Sequence, residues 1–563
     1  MNKRYLLGSI LVLTLAACTD PLAVANNNSP DRNRTFTNAA DLEVFTASLF
    51  AVMIQSTIGG SNDGLQTQMS TMSMENTSTL ANFAMGPRGA LPRNTISNQR
   101  GSQGSAGNYH DWFRGHRAER QAALALGALK NLPLSSPAAT IRARAFARLV
   151  QGIALGNLSL AYDSASILTE NDNPEADAAV VVALSGYQAA NTAALRYLDS
   201  AIALATANPS TAFLPSVANF WINGGAFSSD QFIALARSYK AKFRANVART
   251  PAERAAVVWD SVIADANAGY QTDFAPQFDQ PNGWDVSWVA QHYTTGAGAW
   301  HQMSQFWLGM ADTSGGYVAW LNTSPKGGRV PFLVVTPDRR FPGGTSRTQQ
   351  GAAAGTGSAG QAFANTPYFR NRPPGSDVAG DPLQVSMYDF WRSRQWRQAL
   401  RIGPYPMITA AEIRLLAAEG YLRLGGGANF AQAIDRINVS RRAKGVLDSI
   451  PNSIADTVTR IPGGSHCVPR IPAPPYTAPY TTICGNVWDA LKWEYRMETA
   501  YTGYGNWYFP ARGWGDLPQN TATQWPVPYQ EMDARRKPFY GFGGGGPSSS
   551  APGNYGLFVG GVY

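Results

Sequence analysis

The sequence predicts a mostly α-helical protein: stacked pairs of antiparallel helices carrying long irregular loops. Three observations predict it. Apolar residues recur at helical spacing in segments that come in pairs, and Pro or Gly punctuates the breaks between them. The 563 residues are 44% hydrophobic and no clear linker divides them, so one large domain over 36–563 is expected. Residues 270–407 crowd aromatic rings into a Gly-, Asn- and Thr-rich setting without helical or strand period, which reads as loops on a helical body.

The elements follow in order. Lys3 and Arg4 precede an apolar run, Leu6 to Ala17, too short to span a bilayer, so residues 1–17 read as a signal peptide. The run ends Leu15-Ala16-Ala17-Cys18, which resembles a bacterial lipobox and implies lipidation of Cys18 and a lipid anchor. Residues 18–35 are Asn-, Pro- and Asp-rich without period and read as a flexible tether. Leu42, Phe45, Leu49 and Val52/Met53 then form a stripe, with capping candidates Thr37 and Asn38 before it and Gly59-Gly60 after it. Residues 61–108 are polar and Gly-rich and read as surface loops. Helices are expected at 109–130, 139–163, 187–207, 230–249 and 252–268, the last opening after Pro251. Residues 230–268 have the size and texture of a tetratricopeptide-type pair. Thr409 with Glu412 suggests a capping box for a helix ended by Gly425-Gly426-Gly427, and 430–445 forms the return helix.

Charge and motifs remove several functions. The formal net charge is +9, but only 15% of residues are charged and no nucleic-acid motif is present, so no nucleic-acid partner is expected. The five histidines include no HExxH, no G-x-S-x-G occurs, and neither a metal nor a cofactor is expected. Gly355 to Gly360 satisfies G-x-G-x-x-G formally, without the strand and helix a dinucleotide site requires.

The segment Trp488 to Gly515 carries the most information. Asn486 and Asp489 open a helix on which Trp488, Leu491 and Tyr495 recur, and Gly503 and Gly505 close the periodic run. Glu494 and Glu498 share one face, which fits either an ion-pair network with Lys492, Arg496 and others, or the acid and nucleophile of a glycoside hydrolase. With the Arg512-Gly513-Trp514-Gly515 turn, the helical hairpin of 409–445, the lipobox and the Pro-x-Pro-x-x-Glu run of 525–536, this helix resembles the SusD/RagB family of outer-membrane nutrient-binding lipoproteins. That signature usually has an Asp before its arginines, whereas here Pro510 stands there and Gly513 replaces the second Arg. The resemblance implies a SusD-like helical fold, with 408–540 as its C-terminal signature region. It also implies a lipid-anchored place in the outer membrane and delivery of a glycan, or a peptide, to a TonB-dependent SusC-like transporter, without catalysis.

With Cys18 lipidated outside the cytoplasm, Cys467 and Cys484 remain to form a disulfide. Within 270–407, Trp284, Trp288, Tyr293 and Trp300, with Asn282, Asp285 and Gln291, are expected to form the ligand platform, because exposed rings flanked by amides and carboxylates suit a sugar. A glycoside hydrolase using Glu494 and Glu498, or a helical-repeat scaffold that binds only protein, are the rival functions.

Overall fold

Asn38, Ser136, Ser228, Thr250, Thr409 and Asn486 each place a side-chain oxygen on a free N–H of a first helical turn, so the helices begin where their caps stand. The structure, a computed structural model, describes residues 36–540 apart from 60–63, 79–87, 91–92, 94–95, 103, 173–180, 287–300, 355–366, 375–385, 393 and 519–520. Its principal helices are α1 (Ala39–Ala47), α2 (Leu49–Gln55), α3 (Leu65–Met72), α4 (Ser105–Asn131), α5 (Pro137–Ala161), α6 (Tyr187–Thr206) and α7 (Ser229–Asn246). They continue with α8 (Pro251–Ala255), α9 (Trp259–Asn267), α10 (Ala410–Leu424), α11 (Gly427–Ser440), α12 (Val487–Thr499), α13 (Tyr508–Trp514) and α14 (Tyr529–Ala534). Among the described residues, strands occur only as short two-stranded antiparallel ribbons. The expected mostly helical class is the observed one.

The stack runs α4–α5–α6–α7–α9–α10, and α10 packs in turn on α11 and α12. Small residues let these helices approach closely. A Cβ on Gly156 of α5 would fall 2.1 Å from the Phe243 ring of α7, and one on Gly420 of α10 would fall 2.7 Å from Ile263 of α9. The core is continuous from Leu42 to Met532.

Several expected boundaries shift for physical reasons. The stripe at 42–53 breaks at Ser48 into α1 and α2, and Ser48 Oγ donates to the Phe45 carbonyl. Residues 61–108 are not all surface loop, because every residue of α3 is buried. Its Gln and Thr residues hid it from a hydrophobicity pattern. The segment 252–268 divides into α8 and α9, since Trp259 folds back to bond the Arg254 carbonyl. The Thr409 capping box is half formed: Thr409 accepts from the Glu412 amide, but the Glu412 carboxylate turns inward to Lys242, 2.7 Å away. The return helix ends at Ser440 and passes into a π-turn, Arg441–Gly445. Cys467 and Cys484 are joined as a disulfide across the ribbon Arg470–Pro472 with Thr482–Cys484, their Cα atoms 5.7 Å apart.

Gly156→Ala tests the close helix packing. Overpacking against Phe243 is expected to cost about 1–3 kcal/mol. Thermal unfolding should therefore show a lowered midpoint, and a return toward wild type when Phe243→Leu is added.

Candidate functional site

The two signature carboxylates lie deep inside. Glu494 is 0% exposed and Glu498 3%. Their partner is Arg340, from the loop-rich region: Nη1 donates to Glu494 Oε2 at 2.7 Å and to Glu498 Oε1 at 3.2 Å, and Nη2 to Glu494 Oε1 at 3.0 Å. Arg340 also holds Asp338, through Nε at 2.9 Å and Nη2 at 2.8 Å. Tyr368 Oη and Arg392 close on Glu498, Trp493 Nε1 on Asp338. Burial works against the charge on Arg340, but Asp338 and Glu494 raise it well above the usual guanidinium range. Arg392 also reaches Glu498 at 3.4 Å, and the buried Arg441 lies near enough to favour the charge on Glu494 while donating to the Asp448 and Val468 carbonyls. Lys492 and Arg496, the partners expected from sequence, turn instead to Asp516 at 2.8 and 2.7 Å. The arrangement is an ion cluster that ties the loop region to α12. It leaves neither acid facing an opening, as the acid and nucleophile of a hydrolase must.

Glu75 belongs to the same end of α12. Ser70 Oγ donates to it, and the Tyr501 amide, held at φ +56°, donates to Oε1 at 2.7 Å. No cation faces it in these bonds, and burial pushes its carboxyl up to about 7.

The predicted platform divides. Trp284 is a core ring, 1% exposed, stacked on Phe50 at 6.2 Å and edge-on to Phe278 at 6.3 Å. It is not an exposed stacking surface, because apolar area that large is stabilised by burial. Asn282 is exposed and donates to Asp279 at 2.6 Å, and Asp285 pairs with Arg401 at 3.0 Å. Trp288, Gln291, Tyr293 and Trp300 lie outside the described residues, as do Cys18 and the glycine-rich run 355–360.

An opening of ≈ 250 Å³ lies at the start of the loop-rich region, between residues 270–277 and the entry to α7. Phe227, Gln231, Tyr270, Thr272 and Asp273 are among its lining. Two bonds join its walls: Asn223 Nδ2 donates to the Gln277 carbonyl at 2.8 Å, and the Gln277 amide to the Asn223 carbonyl at 2.9 Å. Gly224 is required between them, at φ +100°, since a Cβ there would meet Gln277 Cβ at 2.5 Å. Gln231 spends its amide oxygen on the α7 capping box, accepting from Ser228 N at 2.9 Å. Asp273 is exposed, with Oδ1 accepting from the first amide of α10 at 2.9 Å. The Tyr270 hydroxyl is buried and has no hydrogen-bond partner, and burial raises its pKa. A tyrosine with an unpartnered hydroxyl just behind the surface, a threonine, an exposed carboxylate and a glutamine along one opening suit a small polyhydroxylated ring. Sequence inspection passed over Tyr270 because a lone ring right after a helix lacks the density of the tryptophan-rich stretch. The signal present was Gly269-Tyr-Gln-Thr-Asp, a ring followed by three polar groups after a helix stop.

Among the described residues, no group of three or more His, Cys, Asp or Glu is placed to hold a metal ion. No described helix is long and apolar enough to cross a membrane.

Comparison with solved structures decides the fold. The chain aligns with a SusD superfamily protein from Parabacteroides distasonis at TM-score 0.54 and 10% identity, covering 88% of this chain and 97% of that one. A SusD-like protein from Bacteroides fragilis aligns at TM-score 0.52 and 13% identity, over 86% and 89%. A SusD superfamily protein from Bacteroides vulgatus aligns at TM-score 0.50 and 12% identity, over 89% and 97%. The fold is SusD-like. No protein-family model matches the sequence, and no curated protein matches it. Arg340 pairs with the carboxylates of α12, whereas Arg512 of the signature-like turn meets backbone carbonyls. Arg512 donates to the carbonyls of Thr523 and Asn246, at 2.6 and 2.8 Å, and lies over the Phe509 ring, and burial brings its pKa down to about 9.

Two variants test these buried charges. Arg340→Met leaves three carboxylates without their shared cation and should cost about 3–5 kcal/mol, read by denaturant unfolding. Glu75→Gln should act in the opposite sense. A carboxyl whose folded value lies above its unfolded one is destabilising as pH rises from about 4.5 to about 7, and not below. The variant should therefore gain about 3 kcal/mol at pH 8 and little at pH 4, measured by melting at both.

Proposed function

We propose that this protein is an outer-membrane lipoprotein, anchored through Cys18 after removal of residues 1–17, that binds a glycan and passes it to a TonB-dependent, SusC-like barrel. The SusD-like fold, spanning nearly the whole described chain, is the observation that carries this reading. The lipobox-like Leu-Ala-Ala-Cys supports the anchor and the residue 18–35 tether, with 36–563 as one body. The Tyr270 opening supports capture of a sugar ring: neutral hydrogen-bonding groups with one carboxylate suit hydroxyls better than the charged ends of a peptide. Asn282 and Asp285 sit on the same stretch of chain beyond Gln277 and extend the polar surface. The hydrolase alternative is disfavoured by the burial of Glu494 and Glu498.

Titration calorimetry of the full chain against a panel of neutral oligosaccharides tests the reading. At least one class should bind. Asp273→Ala and Tyr270→Phe should each weaken it by about 1–3 kcal/mol, the range of a hydrogen bond lost at a buried or charged group. Tyr270→Phe keeps the ring that packs against the core and should leave the melting temperature close to wild type, whereas Asp273→Ala also loses the bond to the Ala410 amide and should cost about 1 kcal/mol of stability, so affinities are compared well below both melting midpoints. Absence of binding to every oligosaccharide, or retention of full affinity in both variants, removes the proposal. Cys18→Ala should release the protein from the membrane fraction, and the intact form should co-isolate with a barrel.

A further inference from the structure

The chain around the Tyr270 opening carries charge of the opposite sign to the protein as a whole. Lys and Arg outnumber Asp and Glu by 46 to 37 overall. Yet residues 197–236, which supply one wall, hold Asp199 and Asp230 and neither a lysine nor an arginine. Residues 255–325, which supply the other, hold six aspartates and again no lysine or arginine. Among the described residues that line the opening, Asp273 is the only charged one.

Asp273 has bonding capacity to spare. Its Oδ1 accepts from the Ala410 amide at 2.9 Å, and Oδ2 has no partner among the described residues. Arg392 and Arg414 feel its charge, but neither lines the opening. Arg392 is held by Glu498, at 3.0 Å through the carbonyl and 3.4 Å through the carboxylate. Arg414 donates from Nε to the Arg436 carbonyl at 3.3 Å. The Tyr270 hydroxyl is buried and lacks a hydrogen-bond partner. Its ring is fixed by Phe274, 5.6 Å away, which also meets Phe227 at 6.1 Å. A carboxylate oxygen and a phenol oxygen on one opening are both acceptors. Sugar hydroxyls can use them, but a protonated amine uses them better, because it brings three N–H donors and a positive charge. An acidic sugar meets the reverse, since its anion would face Asp273 with no cation on the described lining to answer it.

We propose that the Tyr270 opening selects glycans carrying a free amino sugar, with Asp273 as the residue that sets them apart from neutral and acidic ones. The inference rests on the reading of this opening as the glycan site. The amine takes the place of one ring hydroxyl and donates to Asp273 Oδ2 and Tyr270 Oη. N-acetylation removes the charge and leaves one N–H, so an acetamido sugar loses the preference. The net charge of the protein repels such a ligand at long range, so a preference for it reports on the local groups.

The test is titration calorimetry of the full chain with β-1,4-linked tetrasaccharides of glucose, glucosamine, N-acetylglucosamine and mannuronate, and with tetralysine. The glucosamine tetramer should bind about tenfold tighter than the glucose tetramer, the gap between a charge-assisted and a neutral hydrogen bond. High salt should narrow that gap, and the mannuronate tetramer should bind weakest of the four sugars. Asp273→Asn keeps an acceptor for the Ala410 amide, and should bring the glucosamine tetramer to the glucose level while the glucose tetramer changes little. Equal affinity of wild type for the glucose and glucosamine tetramers overturns the amino-sugar inference and leaves the glycan reading standing. A preference that survives Asp273→Asn also overturns it, as does tetralysine binding tighter than the glucosamine tetramer, since the ligand would then be a basic peptide. Absence of binding to every saccharide removes both.

Discussion

Arg340 is the residue on which the two halves of the molecule agree. It comes from a stretch with little regular structure and ends in the middle of the SusD-like signature helix, with every N–H it aims inward taken by a carboxylate. A charge this deep is not stabilising by itself, since desolvation offsets much of the Coulomb gain. Its effect is geometric. Only one placement of the loop region lets one fork of donors serve Asp338, Glu494 and Glu498 at once, and any other leaves charge buried and unpaired. The π-turn of Arg441–Gly445 fits the same demand: Gly445 accepts from the Arg339 amide at 2.9 Å and lies against Arg340, where a Cβ would stand 3.1 Å from Nη2. Regular helix at that point would carry the chain past the contact.

The helical stack gives this pin something rigid to hold. Gly152, Gly156 and Gly420 sit where a neighbouring helix presses Leu198, Phe243 or Ile263 onto bare backbone. Close packing of this kind is hard to compress and transmits strain, so an added methyl is felt across the contact. The loop region inherits that order through Phe274, whose amide donates to the Ile408 carbonyl at 2.8 Å just ahead of α10. The Tyr270 opening thus lies on chain held at both ends by helices, one wall from the entry to α7 and the other from the exit of α9. An opening built this way needs little ordering to receive the sugar ring proposed for it.

The helices were legible in the sequence to the extent that their caps and breaks were. Ser228 with Gln231 and Asn486 with Asp489 form the reciprocal boxes that their side chains permit. Where pattern failed, a polar residue had found a distant partner. Helix α3 is buried despite its glutamines because Gln66 accepts from the Gly505 amide at 2.6 Å and Gln68 from Arg88 at 2.6 and 2.9 Å. No local rule reports such partners. The site was less legible still. A tryptophan-dense stretch signals large rings, but density does not separate a ring that stacks on Phe50 from one that meets solvent. Trp284 shows the first outcome, and the pattern of residue types around it gives no sign of which it will be.

The departures from the family-like signature make the same point about charge. Pro510 removes the carboxylate that would ordinarily stand before Arg512, and Arg512 is left to backbone carbonyls. Gly513 removes the second guanidinium, but the space is not empty. Arg254 of α8 enters it so closely that a Cβ on Gly513 would fall 2.5 Å from Arg254 Cδ. There it forms a two-pronged pair with Glu419 of α10 at 2.7 and 2.6 Å, between the rings of Trp259 and Trp514. A cation is therefore present beside the turn although position 513 supplies none, and glycine there leaves the room Arg254 occupies. What packing fixes is the position of a charge in space; which segment of chain supplies it is free to change, provided the supplying side chain finds room. Reading the motif residue by residue sees a glycine where the resemblance implies a guanidinium, whereas the folded chain places the Arg254 guanidinium beside the turn from a helix some 250 positions away in sequence.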